Sequence, residues 1–311
     1  MKRITLFSLA SAVLLTLSAC SSDNTAQTES SSSQTVQTET EGLVSSADTS
    51  DMFTDNDLEI GYDEEHSAKI TLSGDSASSD SDAVQISGST VTITDEGTYI
   101  LSGTLHNGMI VVDAENTDKV RLVLNGIDLT NSTSAAIYVP EADKVFITTA
   151  SGTENTLSNG GEYIAIDDNN IDAVIFSKSD LTLNGAGILA IHAAAGHGIV
   201  SKDDLALTSG TYDIAAASHG LSGKDSVRIS SGTYTITSGK DGIHAENADD
   251  ASKGFLYISG GTFTITADGD GISSSAYLQI EDGSFTITTG EGSAGAVMTA
   301  DTLDFGQRGK P

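Results

Sequence analysis

Oxygen-bearing side chains cluster in one irregular stretch of this 311-residue chain, and their chemistry suits a metal ion. The stretch "DGIHAENADDASKG" begins at Asp241 and places Glu246, Asn247, Asp249 and Asp250 close together. Ca²⁺ takes roughly six to eight hard oxygen ligands on a somewhat flexible frame, and this loop offers carboxylates and an amide. Asp, Asn and Gly also dominate ordinary turns, which is the simpler explanation for a single Asp-Gly pair. The loop as a whole favours a Ca²⁺ site.

Three lysines recur at nearly constant spacing and predict a column of positive charge. Lys178, Lys202 and Lys224 are 24 and 22 residues apart. Four aspartates are close enough in sequence to pair with them: Asp180, Asp203, Asp204 and Asp225. Such ion pairs explain the column without a ligand. The alternative is that the column contacts an anionic ligand, with Ca²⁺ alongside.

Histidines form a third candidate group at His197, His219 and His244. The first two occupy the repeat position that Asp241 and Asp270 hold later in the chain. Two stacked histidines could bind a transition metal. A turn histidine that forms a local hydrogen bond is the commoner arrangement. The sequence contains no nucleophile elbow, metalloprotease helix or phosphate-binding loop.

The elements that must position these residues repeat along the chain. "HGI" at His197 returns as "HGL" at His219 and as "DGI" at Asp241 and Asp270, in steps of 22, 22 and 29 residues. The long step predicts seven additional residues in one loop within Glu246–Gly254. A fixed period near 22, rich in Gly, Thr and β-branched residues, is typical of a β-solenoid with one coil per repeat. Stacking brings residues one period apart to about 5 Å, so Asp225 and Asp241 can approach the loop.

The repeat predicts three short strands per coil and an all-β fold. Seven second strands align, beginning at Thr117, Ala142, Ser179, Asp203, Asp225, Gly254 and Ala276. We therefore predict a right-handed parallel β-helix of about eight or nine coils, with roughly 22 residues in each. Four aromatic residues of the third strands share a face with isoleucines, which predicts an internal ladder rather than a ligand platform: Tyr212, Tyr234, Phe263 and Phe285.

The N-terminal segments predict a surface-anchored protein. Residues 1–20 have a charged start, an apolar run and "LSAC", which resembles a bacterial lipobox and predicts lipidation of Cys20, the only cysteine. The Ser/Thr-rich residues 21–50 predict a disordered tether, 51–81 an N-terminal cap region, and 82–311 the β-helix domain. We expect the protein at the extracellular face, anchored by lipid to the bacterial cell membrane.

The charge balance narrows the range of partners. The chain has 44 acidic and 14 basic side chains, a net charge of −30. Loss of Lys2 and Arg3 with the leader would bring the charge to −32. Nucleic acid is excluded as a partner by this balance. So acidic a surface repels itself unless cations neutralise it, and divalent cations outside the cell are the obvious candidates.

Long stretches between about Val84 and Thr289 resemble one known family. They include "SGTLHNGMIVVDAENTDKVRLVLNGIDLTN", "DAVIFSKSDLTLNGAG", "HGIVSKDDL" and "DGIHAENADDASKGFLYISGGTFTITADGDGI". The chain resembles the bacterial carbohydrate-binding β-helix family first described in a cellulolytic clostridium. The resemblance implies a right-handed parallel β-helix with bound Ca²⁺, related in architecture to pectate lyases. It implies Ca²⁺ ligands at Asp241, Asn247, Asp249 and Asp250, and by extension at Asp225 and Asp270.

The resemblance also implies a function, the binding of acidic plant polysaccharide such as polygalacturonate, and of cellulose. We expect a monomeric binding protein in which Ca²⁺ and the lysine column bridge to uronate carboxylates. The absence of Trp argues against flat stacking on crystalline cellulose. An alternative is a Ca²⁺-dependent polysaccharide lyase, in which Lys202 or Lys224 abstracts the sugar's C5 proton. A further alternative is an adhesin or spacer that has no glycan ligand.

Overall fold

The computed structural model describes residues 49–290. The predicted leader with Cys20, the predicted tether up to residue 48, and everything after residue 290 lie outside the described residues. Within the described range, no helix has the length and apolar character needed to cross a membrane. This range contains one single-turn helix, α1 (Asp55–Leu58), and is otherwise built of β-strands and the turns between them.

Strands follow α1 throughout this range. The first eight are β1 (Ala68–Gly74), β2 (Ala77–Ser79), β3 (Val84–Ser87), β4 (Thr90–Ile93), β5 (Gly97–Leu105), β6 (Met109–Asp113), β7 (Lys119–Asn131) and β8 (Ile137–Glu141). The next nine are β9 (Lys144–Thr149), β10 (Glu154–Asn159), β11 (Ala173–Ser177), β12 (Asp180–Gly185), β13 (Ile188–Ala193), β14 (His197–Ser201), β15 (Asp204–Leu207), β16 (Thr211–Ala216) and β17 (Leu221–Gly223). The last eight are β18 (Ser226–Ile229), β19 (Thr233–Ser238), β20 (Ile243–Ala245), β21 (Phe255–Ile258), β22 (Thr262–Ala267), β23 (Ile272–Ser274), β24 (Leu278–Ile280) and β25 (Ser284–Thr289).

The strands stack in three columns. From β8 onward, each strand pairs in parallel with the strand three places later. The first column runs from β6 through β8 to β23, the second from β7 through β9 to β24, and the third from β10 to β25. The long strand β7 belongs to two columns, because its first half pairs with β9 and its last four residues pair with β10. These pairings confirm an all-β protein with parallel sheets, and the seven predicted second strands form one column.

Side-chain alternation places the core between the columns. Ile199 from the first column, Leu205 from the second and Ile214 from the third are all buried in one apolar cluster. In the third column, the register aligns Tyr212, Tyr234 and Phe263. These three rings are each 1% exposed, with neighbouring centroids 5.1 and 4.8 Å apart. The predicted aromatic ladder is therefore confirmed, and it continues to Phe285 at 4.7 Å.

The predicted cap region is divided between two structures. Its second part forms the β1–β2 hairpin, and β1 adds to the stack by pairing in parallel with β5. Its first part, residues 52–62, lies along the outer face of the second column, and we call it the strap. The strap extends along the second column from β7 to β18. Arg121 of β7 donates to the carbonyl of Glu59, and Arg228 of β18 donates to that of Met52, both at 3.0 Å.

A buried ion pair holds the centre of the strap. Asp57 Oδ1 lies 2.7 Å from Lys144 Nζ, and the Asp57 side chain is 1% exposed. Thr182 donates to the same carboxylate, and Thr208 donates to the Asp57 backbone carbonyl. A capping box at Thr54 orders the single turn of α1 that carries Asp57. The strap consequently buries the outer face of the second column along β9, β12 and β15. The outer face of the third column and the later part of the first column's outer face remain accessible.

Candidate functional site

A groove of about 390 Å³ lies on the outer face of the first column. We call it the His–Lys groove. Its principal side chains come from β14, β17, β20 and the turns beside them: His197, His219, His244, Lys202, Lys224, Glu246 and Asp249. Parallel register creates this grouping, because Val200, Ser222 and His244 occupy equivalent positions on adjacent strands. The lysines, the histidines and the insertion loop, which were separate features of the sequence, therefore meet at one surface.

The groove occurs only along the later strands of the first column, because residues 160–172 cover the earlier ones. Earlier in the first column, the equivalent outward residues are Tyr138 and Phe176, which are packed in a small apolar cluster. Ile171 belongs to that cluster and Tyr163 packs against it, so residues 160–172 cover this part of the face. Beyond Val200 the outward residues become polar, and the face is open.

The predicted lysine column forms, but its members have different surroundings. The backbone amides of Lys178, Lys202 and Lys224 bond to successive strands, which places the three residues in register. Lys202 Nζ lies 5.2 Å from the ring centroid of Phe176, a cation–π distance. Lys224 Nζ lies 3.1 Å from Asp249 Oδ2, and 42% of its side chain is exposed. Lys202 and Lys224 line the groove, and Lys178 stands beyond its lining.

The three histidines form a stacked ladder along the groove. The rings of His197 and His219 are 5.0 Å apart, and those of His219 and His244 are 4.3 Å apart, each pair at 13°. His197 Nδ1 accepts the backbone N–H of His219, and His219 Nδ1 accepts that of Asp241. Asp241 repeats the pattern, since its Oδ1 accepts the N–H of Asp270 at 2.8 Å. Equivalent turn side chains thus satisfy one backbone amide in each successive repeat.

His197 and His219 are held neutral. Burial lowers the pKa of His197 to about 4, and the positive charges of Lys202 and Lys240 act in the same direction. Burial also lowers the pKa of His219 to about 4, with contributions from His244 and His197. Neutral rings suit their hydrogen bonds, because a protonated Nδ1 could not accept a backbone N–H.

The predicted Ca²⁺ ligands divide into two groups. Asn247 organises the first, in which its Nδ2 donates to Asp225 Oδ1 at 2.8 Å and its Oδ1 accepts the backbone amides of Asp249 and Asp250, each at 2.9 Å. Asp225 also pairs with Lys253. Asp241 lies in the histidine ladder, and Asp270 joins it through the backbone. The structure therefore brings four of the six residues together around Asn247 and places Asp241 and Asp270 in a separate group.

Asp203 was not among the predicted ligands, yet its carboxyl is hydrogen-bonded to that of Asp225. Burial, this hydrogen bond and neighbouring carboxylates raise the pKa of Asp203 to about 6. Two carboxyl groups in contact repel when both are charged, so the pair favours a shared proton or a cation. The signal that could have identified Asp203 is its position one repeat before Asp225.

Glu246, Asp241 and His244 were each candidate residues, but the sequence did not predict their contacts with one another. Glu246 Oε2 lies 3.2 Å from His244 Nε2, and Asp241 Oδ2 lies 2.8 Å from His244 Nδ1. His244 does not occupy the repeat position of His197 and His219, so periodicity alone could not place it against them.

Comparison with known proteins identifies relatives of this chain. The family model for carbohydrate-binding domain-containing proteins matches residues 87–307. A protein of that description from Acetivibrio thermocellus is 38% identical over 150 residues, which are 47% of this chain and 52% of the relative. The chain thus spans about half the length of that curated relative. A solved structure from C. thermocellum, titled a polysaccharide lyase-like protein in a gadolinium derivative, is 35% identical with a TM-score of 0.64. That alignment covers 73% of this chain and 98% of the solved one.

Proposed function

Because this chain belongs to the family of carbohydrate-binding domain-containing proteins, we propose that it binds an acidic polysaccharide at the His–Lys groove. One observation carries the proposal: Lys202 and Lys224 stand together in an open groove of a molecule whose net charge is −30. A polyanion would be repelled by most of such a surface. Lysine ammonium groups aligned along a groove offer repeated charge-assisted hydrogen bonds to uronate carboxylates.

We also propose which polymer the protein binds and in which direction the columns wind. We infer a pectin-like polymer such as polygalacturonate, bound by a monomer whose stacked columns wind as a right-handed parallel β-helix. The parallel register from β8 to β25 supports this winding. Cellulose is the weaker candidate, because the ladder of Tyr212, Tyr234 and Phe263 is buried and cannot stack on a crystalline face.

We further propose that the protein binds Ca²⁺ next to the lysines of the groove. Asp203 and Asp225 provide two carboxyl groups in contact, and Asp225 is mostly buried. This hard oxygen set fits Ca²⁺, and Asp249 lies beside it next to Lys224. Asp203, Asp225 and Asp249 would hold the ion, while Asn247 orders the loop around them. Bound Ca²⁺ would supply positive charge next to the lysines.

We also propose, from the sequence, where in the bacterial cell the protein is located. The "LSAC" motif at Cys20 and the polar stretch that follows support a lipid-anchored protein at the extracellular face of the bacterial membrane. An anchored binding domain on a tether would retain soluble polymer near the cell.

Binding of the mature chain to polygalacturonate, measured with CaCl₂ and then with EDTA, tests the proposal. We expect retention in Ca²⁺ and weak retention of fully methyl-esterified polymer, which lacks the carboxylate charge. The double variant Lys202→Gln/Lys224→Gln should lose affinity about a hundredfold or more, since it removes two charged hydrogen bonds that contribute roughly 1.5–3 kcal/mol each. Lys119→Gln, which changes an exposed lysine paired with Asp143 on another surface, is the matched control.

The same experiment addresses two alternatives. Lyase activity remains the second candidate, because Lys202 and Lys224 share the groove and the solved relative is titled lyase-like. Ultraviolet absorbance of an unsaturated product, abolished in the double variant, would establish a lyase. Absence of both retention and product in Ca²⁺ would contradict the proposal and favour an adhesin or spacer.

A further inference from the structure

We propose that His219, Asp241 and His244 form a binding site for a divalent transition metal ion of the Zn²⁺ class. The site lies at the edge of the His–Lys groove and is distinct from the Asp203–Asp225 carboxylates. Its existence does not depend on polysaccharide binding. One ligand atom from each of the three residues lies within 4.8 Å of the others.

The distances suit a single small ion. Asp241 Oδ2 lies 2.8 Å from His244 Nδ1 and 3.5 Å from His219 Nδ1. Tetrahedral zinc with bonds of about 2.0–2.1 Å holds its ligand atoms roughly 3.3 Å apart. These two separations lie on either side of this value, and the ligand nitrogens of His219 and His244 lie within 4.8 Å of each other. A closer approach of those two nitrogens would complete the geometry.

The surroundings of His244 favour a bound cation. Its Nδ1 is buried and, within residues 49–290, makes no hydrogen bond, although Asp241 Oδ2 is 2.8 Å away. Glu246 Oε2 lies 3.2 Å from His244 Nε2 and would take the ring's proton there. The Nδ1 lone pair then faces a carboxylate oxygen, and two electron-rich atoms at this distance repel. A metal ion between them removes the repulsion and satisfies both.

His219 is presented in the correct form for the same ion. Its Nδ1 accepts the backbone N–H of Asp241 at 3.1 Å, which shows that this nitrogen carries a lone pair aimed toward Asp241. Stacking on His244 at 4.3 Å and on His197 at 5.0 Å restricts the ring's rotation. The metal would compete with one backbone hydrogen bond, which contributes about 1 kcal/mol.

The ligand set selects the class of metal. Two imidazole nitrogens and one carboxylate oxygen suit Zn²⁺ and its neighbours, whereas Ca²⁺ and Mg²⁺ require oxygen ligands. Glu246 acts as a positioning residue, because a carboxylate that accepts the second N–H of a metal-bound histidine orients the ring. Three protein ligands leave one position open, and the groove is the side on which that position can be reached.

Titration of the EDTA-treated and dialysed mature chain with ZnCl₂ by calorimetry tests the site. We expect one Zn²⁺ per chain with micromolar or tighter affinity, undisturbed by millimolar CaCl₂. His244→Ala and Asp241→Asn should each weaken binding at least tenfold. Glu246→Gln should weaken it about tenfold, in keeping with other outer carboxylates of metal sites. His192→Ala, which removes an exposed histidine on the third column, is the matched control and should bind as the unaltered chain does.

A second measurement distinguishes loss of the metal site from misfolding of the variant. Co²⁺ substituted into the unaltered chain should give the visible absorption of a site with nitrogen ligands, and His219→Ala should lose it while retaining the β-sheet circular dichroism spectrum. Absence of Zn²⁺ binding would overturn the proposal and indicate a His244–Asp241 ion pair. Zn²⁺ binding that is unaffected by His244→Ala and Asp241→Asn would equally overturn it.

Discussion

At the scale of single residues, the fold depends on side chains that repeat their interactions from one strand of a column to the next. Tyr234 is 1% exposed, stacks on Tyr212 and Phe263, and donates its hydroxyl to the carbonyl of Ser231 at 2.7 Å. Tyr212 makes the equivalent hydrogen bond to Ser209. Phe263 fills the same position without a hydroxyl, which shows that the ring is the essential part.

We therefore expect Tyr234→Ala to lower the free energy of unfolding by about 3–5 kcal/mol, because it opens a large cavity in the ladder. Tyr234→Phe should cost only about 1 kcal/mol, the contribution of one hydrogen bond. Urea unfolding followed by circular dichroism measures both changes. Equal losses from the two substitutions would contradict a role based on packing.

At the scale of elements, two segments outside the regular stack matter most. The strap joins strands of the second column by polar contacts, and the insertion loop builds one wall of the groove. Neither follows the repeat, so each depends on individual side chains rather than on register. Asp57 has this role in the strap, and Asn247 has it in the loop.

Asp57→Asn should destabilise the protein by about 3 kcal/mol at pH 7, because Lys144 would remain buried without its counter-charge. Burial by itself would raise the pKa of Asp57, but hydrogen bonds from Lys144, Thr182 and Thr54 lower it to about 2. A pKa below the ordinary 3.8 means that the carboxylate stabilises the fold fully above pH 4.

That contribution should decline as pH falls from about 4 to about 2. Denaturant unfolding of the unaltered chain and of Asp57→Asn across this range measures the difference in stability. A difference that stays constant with pH would contradict the ionised form of Asp57. Adding Lys144→Met to Asp57→Asn should recover part of the lost stability, since no unpaired charge then remains.

Asn247→Ala should loosen the insertion loop without unfolding the stack. It removes the hydrogen bonds to Asp225, Asp249 and Asp250, and each contributes about 1 kcal/mol. We expect cleavage after Lys253 by a lysine-specific protease to accelerate on the order of tenfold or more, with little change in melting temperature. Asn116→Ala, at an exposed turn, is the control. A large fall in melting temperature would show that the loop is part of the cooperative core.

At the scale of the whole molecule, charge opposes the compact state. A net charge of −30 on 311 residues creates self-repulsion, which counterions reduce. The parallel columns bring equivalent carboxylates of successive repeats close together, as at Asp203 and Asp225. Folding therefore concentrates at the turns negative charge that is spread out in the unfolded chain.

The melting temperature of the EDTA-treated protein should consequently rise by several degrees between low salt and about 0.15 M NaCl, where exposed charges more than roughly 8 Å apart are largely screened from each other. At matched ionic strength, CaCl₂ should raise it further than MgCl₂ if the Asp203–Asp225 pair binds calcium. Equal effects of CaCl₂ and MgCl₂ would indicate that both salts act only by screening charge. A melting temperature that falls with NaCl would contradict dominant self-repulsion.

The sequence by itself determined the regular part of this protein. A period near 22 and strict alternation within each strand are local properties, and they sufficed to predict the parallel columns, the aligned second strands and the inward rings from Tyr212 to Phe285. The lysine column and the loop within Glu246–Gly254 followed from the same periodicity.

Only the tertiary structure decided how irregular segments meet the columns. No repeat relates Asp57 to Lys144, 87 positions later, and the strap's position depends on contacts that form once the second column exists. The meeting of His244 with Asp241 and His219 has the same origin, because it combines register between neighbouring strands with side-chain orientation. Periodicity specifies which residues stack, whereas packing and burial determine which of their polar atoms find partners.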